Sequence, residues 1–246
     1  MHLDVGEYRK FYDSALGHVA RRIIRRRLRA LWPGTQGLTI AGIGYVTPYL
    51  APFRTDAGAV IALMPAPQGV AAWPRGGRCL TALSDEHELP LADASIDRVI
   101  LVHALENTEA LRVLLRQIWR VLKPEGRLLA VVPNRTSLWA QFEVSPFGHG
   151  HPYTRGQLDR LLQDAMFTPM TWDRALCLPP LGWRMVLRYA QAVENAGQSL
   201  WPRFSGVVIA DAVKQVYAAM PSGGARQRVR VLVADGRSAK EHAAQD

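Results

Sequence analysis

The chain predicts an α/β protein built on a mostly parallel sheet covered by helices on both faces. Three observations carry that reading. Apolar runs alternate with amphipathic helical stretches five times over roughly 100 residues. The runs are continuous rather than alternating with polar residues, as in strands buried on both sides. The first run, Leu38 to Ala41, enters a turn with two glycines, Gly42 and Gly44, and meets Thr47-Pro48, a good helix cap and first helical residue. A length of 246 residues with 48% hydrophobic content supplies ample core for one such domain.

Residues 8–32 predict one long amphipathic helix. Leu16, Ala20, Ile23, Ile24, Leu28 and Leu31 share one side at helical spacing, and Arg21, Arg22, Arg25, Arg26 and Arg29 share the other. Arg27 falls among the apolar positions, so it must snorkel or meet an acidic partner. The Arg21 to Arg29 face is either a solvated surface or a docking face for RNA, anionic lipid or an acidic protein. Trp32-Pro33-Gly34 ends the helix.

After the glycine turn, Tyr49 to Phe53 continue a short helix. Ala59 to Met64 predict a second strand closed by Pro65 and Pro67, Arg78 to Leu83 a third, and Val99 to Val102 a fourth. Asn107 or Thr108 can cap a helix bearing Leu111, Leu114, Leu115, Ile118 and Leu122 on one face, and Lys123-Pro124-Glu125-Gly126 stops it before a fifth strand, Arg127 to Val132. Right-handed crossovers then bring the loops 42–47, 64–69, 84–89, 103–107 and 133–137 to one edge. Residues 135–153 form an aromatic, glycine-rich loop, long enough to imply a functional role or a lid. Thr154 caps a helix to Ala165, Phe167 to Cys177 predict a strand, 179–203 a helical insertion, and Ser205 to Tyr217 hold the last strand. The organisation is thus a basic helix (1–34), a main domain (35–220) and a basic tail (221–246) expected to be loosely ordered.

The formal charge of +9 is mostly arginine, and fits either compositional bias or an anionic partner. Two cysteines, Cys79 and Cys177, give neither a disulfide framework nor metal spacing; both are expected as small core residues in a reducing cytoplasm. No apolar run approaches the roughly 18 residues of a membrane span, and the opening MHLDVGEYRK does not read as a signal peptide. Glycines let a backbone approach a ligand, and a helix start offers bare N–H groups, so the Gly42 turn is expected to floor a nucleoside-type site at the sheet's carboxyl edge. The dinucleotide fingerprint is not met, because Thr47 stands where its third glycine would be.

Two segments carry a resemblance. Leu89-Pro90-Leu91-Ala92-Asp93-Ala94-Ser95-Ile96-Asp97, leading into the fourth strand, and Ile118 to Leu128, spanning helix, stop and fifth strand, resemble class I S-adenosylmethionine-dependent methyltransferases of the type 11-like group. The resemblance covers about residues 35–170. It implies a Rossmann-like sheet of seven strands, six parallel and the last reversed, which the strand ending at Lys214-Gln215 fits. It also implies S-adenosylmethionine as cofactor, its methionine portion over Gly42, Gly44 and Tyr45, its ribose at the end of strand two near Met64, and its adenine by Asp85, Glu86 and His87. Asp85 can accept from the adenine amino group, since an ionised carboxylate offers only acceptors. The donor motif is degenerate: Ile40 replaces the acid before the first glycine, Val46 the third glycine, and Leu63-Met64-Pro65 carries no carboxylate.

For the chemistry, His103 and Glu106 follow strand four, where the family keeps residues beside the methyl donor; a histidine oriented by a carboxylate can titrate near neutrality. Phe147, His149, His151 and Tyr153 are expected to close the acceptor pocket. The His149-Gly150-His151 pair lacks an assured third ligand, so no metal is expected. No P-loop, G-x-S-x-G or HExxH motif occurs, which leaves phosphoryl transfer, serine hydrolysis and zinc proteolysis without support. The sequence therefore predicts a methyltransferase acting on an unspecified small-molecule or macromolecular acceptor. The alternatives are a catalytically degenerate pseudoenzyme with a binding or regulatory role, or a basic RNA-associated protein.

Overall fold

The computed structural model describes residues 3–180 and 188–216. The chain opens with two helices rather than the single one expected. Helix α1 (Val5–Asp13) starts at a reciprocal cap: the Asp4 carboxylate accepts from the amides of Gly6 and Glu7, and Glu7 accepts from the Asp4 amide. Ser14 breaks the run. Its backbone is extended, and its hydroxyl accepts from the Gly17 amide to start α2 (Ala15–Leu31). Gly17 lets the two helices meet, since a Cβ there would lie 2.0 Å from the Phe11 carbonyl oxygen. The apolar face of α2 buries Ile23, Ile24 and Leu28, and Arg27 meets Asp173 at 3.9 Å.

The seven strands are β1 (Thr39–Gly44), β2 (Ala59–Pro65), β3 (Thr81–Ser84), β4 (Ile96–Val102), β5 (Leu122–Pro133), β6 (Phe167–Ala175) and β7 (Val207–Lys214). Their order in the sheet is β3-β2-β1-β4-β5-β7-β6. The first five run parallel, and β7 lies antiparallel between β5 and β6. The register pairs Gly44 with Val102, Val102 with Val131 and Pro65 with Ser84, so the strand ends line up along one edge. One face of the sheet packs against α1, α2 and the short α3 (Thr47–Leu50) through Tyr12, Ile24, Leu28, Leu50, Ile100 and Leu129. The other packs against α4 (Leu111–Val121) and α6 (Arg155–Asp164) through Leu101, Leu115, Ile118, Leu128 and Leu162. This is the predicted two-sided burial, and it explains the continuous apolar runs.

Several boundaries differ from expectation. Helix α4 begins at Leu111 after Ala110, not at a cap on Asn107 or Thr108, because the Thr108 hydroxyl accepts from the Ala110 amide while donating to Glu86. Strand β3 is only four residues long, and β5 begins at Leu122, so the Lys123 to Gly126 stop lies inside an irregular first stretch of the strand. The 135–153 loop holds the short helix α5 (Leu138–Gln141), capped by Ser137. Thr154 caps α6 as predicted, with Gln157 completing a reciprocal cap. Of the 179–203 insertion, helix α7 (Ala190–Leu200) is described, while 181–187 and the expected loose tail lie outside the described residues. Cys177 is buried, but Cys79 is exposed on the β2–β3 connection rather than in the core. Among the described residues no helix is long and apolar enough to cross a membrane.

Candidate functional site

Strand β4 delivers its last residues to the middle of the carboxyl edge. His103, just past the strand, has a left-handed backbone (φ 54°), a conformation that costs energy for a non-glycine residue and turns its ring back under α1. The ring is 1% exposed and has a partner on each nitrogen. Nδ1 lies 3.2 Å from Glu106 Oε1, and Nε2 lies 2.7 Å from the Tyr12 hydroxyl. Tyr12 in turn lies 2.6 Å from the Tyr49 hydroxyl. A carboxylate at Glu106 only accepts, so Nδ1 carries the proton; in the neutral ring Nε2 then accepts from Tyr12, and Tyr12 accepts from Tyr49. Burial pushes the Tyr8, Tyr12 and Tyr49 phenols well above the ordinary tyrosine range, which keeps them protonated. Glu106 Oε2 is buried and has no hydrogen-bond partner among the described residues.

Beside this chain of side chains lies a cavity of about 470 Å³, lined by the loops that follow β2, β3 and β4 and roofed by Leu3 and Tyr8. Its lining includes Gln68, Asp85, Glu86, His87, His103 and Asn107. Gln68 is buried, and its Nε2 has no hydrogen-bond partner among the described residues. Asp85 accepts from the His87 amide at 2.8 Å and faces the His87 ring at 2.9 Å; these bonds hold its carboxyl below the usual carboxylate range. Glu86 accepts from the Thr108 hydroxyl, and Asn107 donates to the Tyr8 hydroxyl at 3.1 Å.

The glycine turn lies elsewhere. None of Gly42, Gly44, Tyr45 or Met64 borders that cavity. A Cβ on Gly42 would meet Val46 at 2.5 Å and Leu50 at 2.8 Å, so the residue replacing the third glycine packs directly over the first. Gly44 has φ 92°, and a Cβ there would lie 2.3 Å from the Val102 carbonyl oxygen, so this glycine serves the strand crossing itself. Tyr45 is sandwiched by α1, with the Tyr8 ring stacked at 4.8 Å and the Tyr12 ring at 5.6 Å. Met64 is buried, its sulfur facing the Ala71 amide at 3.4 Å.

The residues expected at the acceptor pocket divide. Phe147 is buried with its ring 4.8 Å from His103. His149 borders a separate surface hollow with Phe11 and Ser145. The His151 side chain is exposed, although its amide donates to the Glu106 carbonyl at 2.8 Å. Tyr153 donates to the Leu105 carbonyl at 3.0 Å, and burial pushes its phenol up to about 12. Among the described residues, no three histidine, cysteine or carboxylate side chains gather as a metal site. Sequence reasoning missed Tyr8, Tyr12, Tyr49 and Gln68. The i,i+4 spacing of Tyr8 and Tyr12 was a signal, since it puts both rings on one helical face.

Residues 40–130 match a family model described as a methyltransferase domain. The chain is 42% identical over 52 residues to the ubiquinone/menaquinone biosynthesis C-methyltransferase UbiE of Rubrivivax gelatinosus, 21% of each chain. It is 33% identical over 129 residues to a demethylmenaquinone methyltransferase of Corynebacterium efficiens, 51% of this chain and 54% of that one. It thus spans about a fifth to about half the length of these two curated relatives. Among solved structures, it superposes with TM-score 0.60 at 17% identity on a chain of the complex between the Haloferax volcanii Trm112 methyltransferase activator and a methyltransferase, covering 86% of this chain and 99% of that one. The sequence match lies on β1 to β5, the strands whose loops line the cavity, and the likeness of fold extends over most of the rest: residues 40–130 resemble a methyltransferase domain, and the chain has the Rossmann-like fold of the solved methyltransferases.

Proposed function

We propose that this protein transfers a methyl group from S-adenosylmethionine to an acceptor reached at the carboxyl edge of the sheet. The observation that carries the reading is the cavity of about 470 Å³ between the loops after β2, β3 and β4, with His103 in its wall. The residues fit the nucleoside part of the donor. The free Gln68 amide supplies a polar partner where the end of β2 has no carboxylate, and Asp85 supplies an acceptor on the next loop. Bound there, the donor supplies an electrophilic methyl on a sulfonium. Tyr8, Phe147 and the buried β4 end exclude water from the neighbourhood of His103. His103 has both ring nitrogens engaged, so it takes a proton from an acceptor only when Tyr12 releases Nε2. Glu106 keeps the ring oriented while it does so.

A second reading draws on Val46 over Gly42 and the tyrosines over Tyr45: a nucleoside-binding protein without transfer, since the hollow expected for the methionine portion is filled by the chain's own side chains. Calorimetry of the full chain with S-adenosylmethionine and S-adenosylhomocysteine tests the first reading. Saturable binding, weakened about tenfold by Gln68→Ala or Asp85→Ala, is expected. No binding at millimolar donor would overturn it; binding of both nucleosides with no methylated product over a broad acceptor panel would favour the second.

A further inference from the structure

A second cavity, of about 440 Å³, lies on the other side of the tyrosine cluster, between α1, α2 and the β2–β3 connection. Tyr12 and Tyr45 line this cavity and Tyr8 lines the first, so the stacked tyrosines form a wall between the two. Four arginines from three separate stretches converge on it: Arg9 of α1, Arg21 and Arg25 of α2, and Arg75 of the connection. Among the described residues Asp13 is the one carboxylate in its lining, 3.9 Å from Arg75. Four positive charges against one negative, in a concave space, leave the lining strongly cationic. Arg25 is not a free surface residue: its Nε donates to the Pro48 carbonyl, which fixes the guanidinium at the cavity's edge. Burial and the neighbouring Arg21 charge both lower its proton affinity, and no carboxylate among the described residues pairs with it.

We propose that this cavity is a binding site for a multiply charged phosphate group, such as the diphosphate of a small molecule. A single carboxylate would leave most of the charge unanswered, whereas a diphosphate offers enough acceptors for several forked guanidinium contacts. The concavity favours a compact group over a nucleic-acid strand, which would need a groove or stripe of cations along the surface. Trp73 and Tyr45 flank the arginines and give the organic part of the molecule an apolar surface. The site does not overlap the donor cavity, which lies beyond the tyrosine wall and shares none of its lining residues.

The test is calorimetric titration of the full chain with sodium pyrophosphate at fixed ionic strength, alongside R21Q/R75Q and a control, R116Q/R160Q, on exposed arginines outside the cavity lining. Neither pair touches the donor cavity. One saturable site is expected, weakened at least tenfold in R21Q/R75Q and unchanged in the control, with pyrophosphate raising the unfolding temperature of the wild type more than that of R21Q/R75Q. Absence of saturable binding, or equal weakening in both double variants, overturns the proposal. So does a single-stranded RNA that binds through Arg21 and Arg75 and is not displaced by pyrophosphate, which would assign the arginines to a nucleic-acid surface.

Discussion

The Tyr12 hydroxyl lies 2.7 Å from His103 Nε2, across 91 residues of sequence. The contact joins the N-terminal helix to the end of the central strand, and it ties access to the histidine to the position of α1. Tyr12→Phe keeps the ring stacking on Tyr45 but leaves His103 Nε2 and the Tyr49 hydroxyl without partners in a buried setting. The expected cost is about 1–3 kcal/mol in denaturant unfolding. An unchanged midpoint would mean that the hydrogen bond contributes nothing to holding α1 down.

Val46 packs over Gly42 in the position of the family's third glycine. Val46→Gly removes that side chain and opens the turn. Donor affinity is expected to rise severalfold in calorimetry, while stability falls by roughly 2 kcal/mol for the lost buried side chain. Lower or equal donor affinity in a folded variant would show that Val46 is not what limits the site.

Asp211 is completely buried in β7, where it accepts from Arg127 of β5 (Nε at 3.1 Å) and from the Trp32 indole at 3.3 Å. It binds the end of α2 to the reversed strand. Asp211→Ala leaves the Arg127 charge without its counter-ion and is expected to cost roughly 3–5 kcal/mol. Chemical denaturation measures this, and a loss under about 1 kcal/mol would contradict it.

Asp97, at the start of β4, gives a pH signature. Burial opposes its ionisation, but Lys123 Nζ at 2.8 and 2.9 Å and the Thr39 amide at 2.9 Å hold its carboxyl below the ordinary value. A depressed folded-state pKa contributes stability above the unfolded value, near 3.9, that is lost as pH falls through the folded one. Asp97→Asn is therefore expected to be less stable than wild type by on the order of 1 kcal/mol at pH 7, with the gap closing toward pH 2. A gap independent of pH would rule out the linkage.

The periodic features were legible in the chain itself. Continuous apolar runs such as Val99 to Val102 fixed the parallel sheet, because a strand buried on both faces has no polar side to show. Thr154 announced the start of α6, because an N-cap is a local feature of the chain. The apolar stripe of α2 marked its buried face for the same reason. His103 and Glu106 were legible as a pair from their place after β4, and Asp85 to His87 from theirs after β3.

The contents of the site were decided by contacts between distant segments. Nothing local to Tyr8 or Tyr12 says that their rings will stack on Tyr45, or that Tyr12 will meet His103; α1 has to fold back over the sheet edge first. The glycine pair predicted an open floor, and tertiary packing filled it with Val46, since a turn's φ angles are set locally but the space above it is not. Gln68 is one polar residue in a proline-flanked loop until burial leaves its amide without a partner beside the cavity. Five arginines of α2 form one face by helical period, yet Arg25 is claimed by Pro48 and Arg29 by Asp56, while Arg21 is left facing Arg9 and Arg75 across a cavity. Sequence period determines which side of a helix is charged; only the packed chain determines which of those charges are already answered.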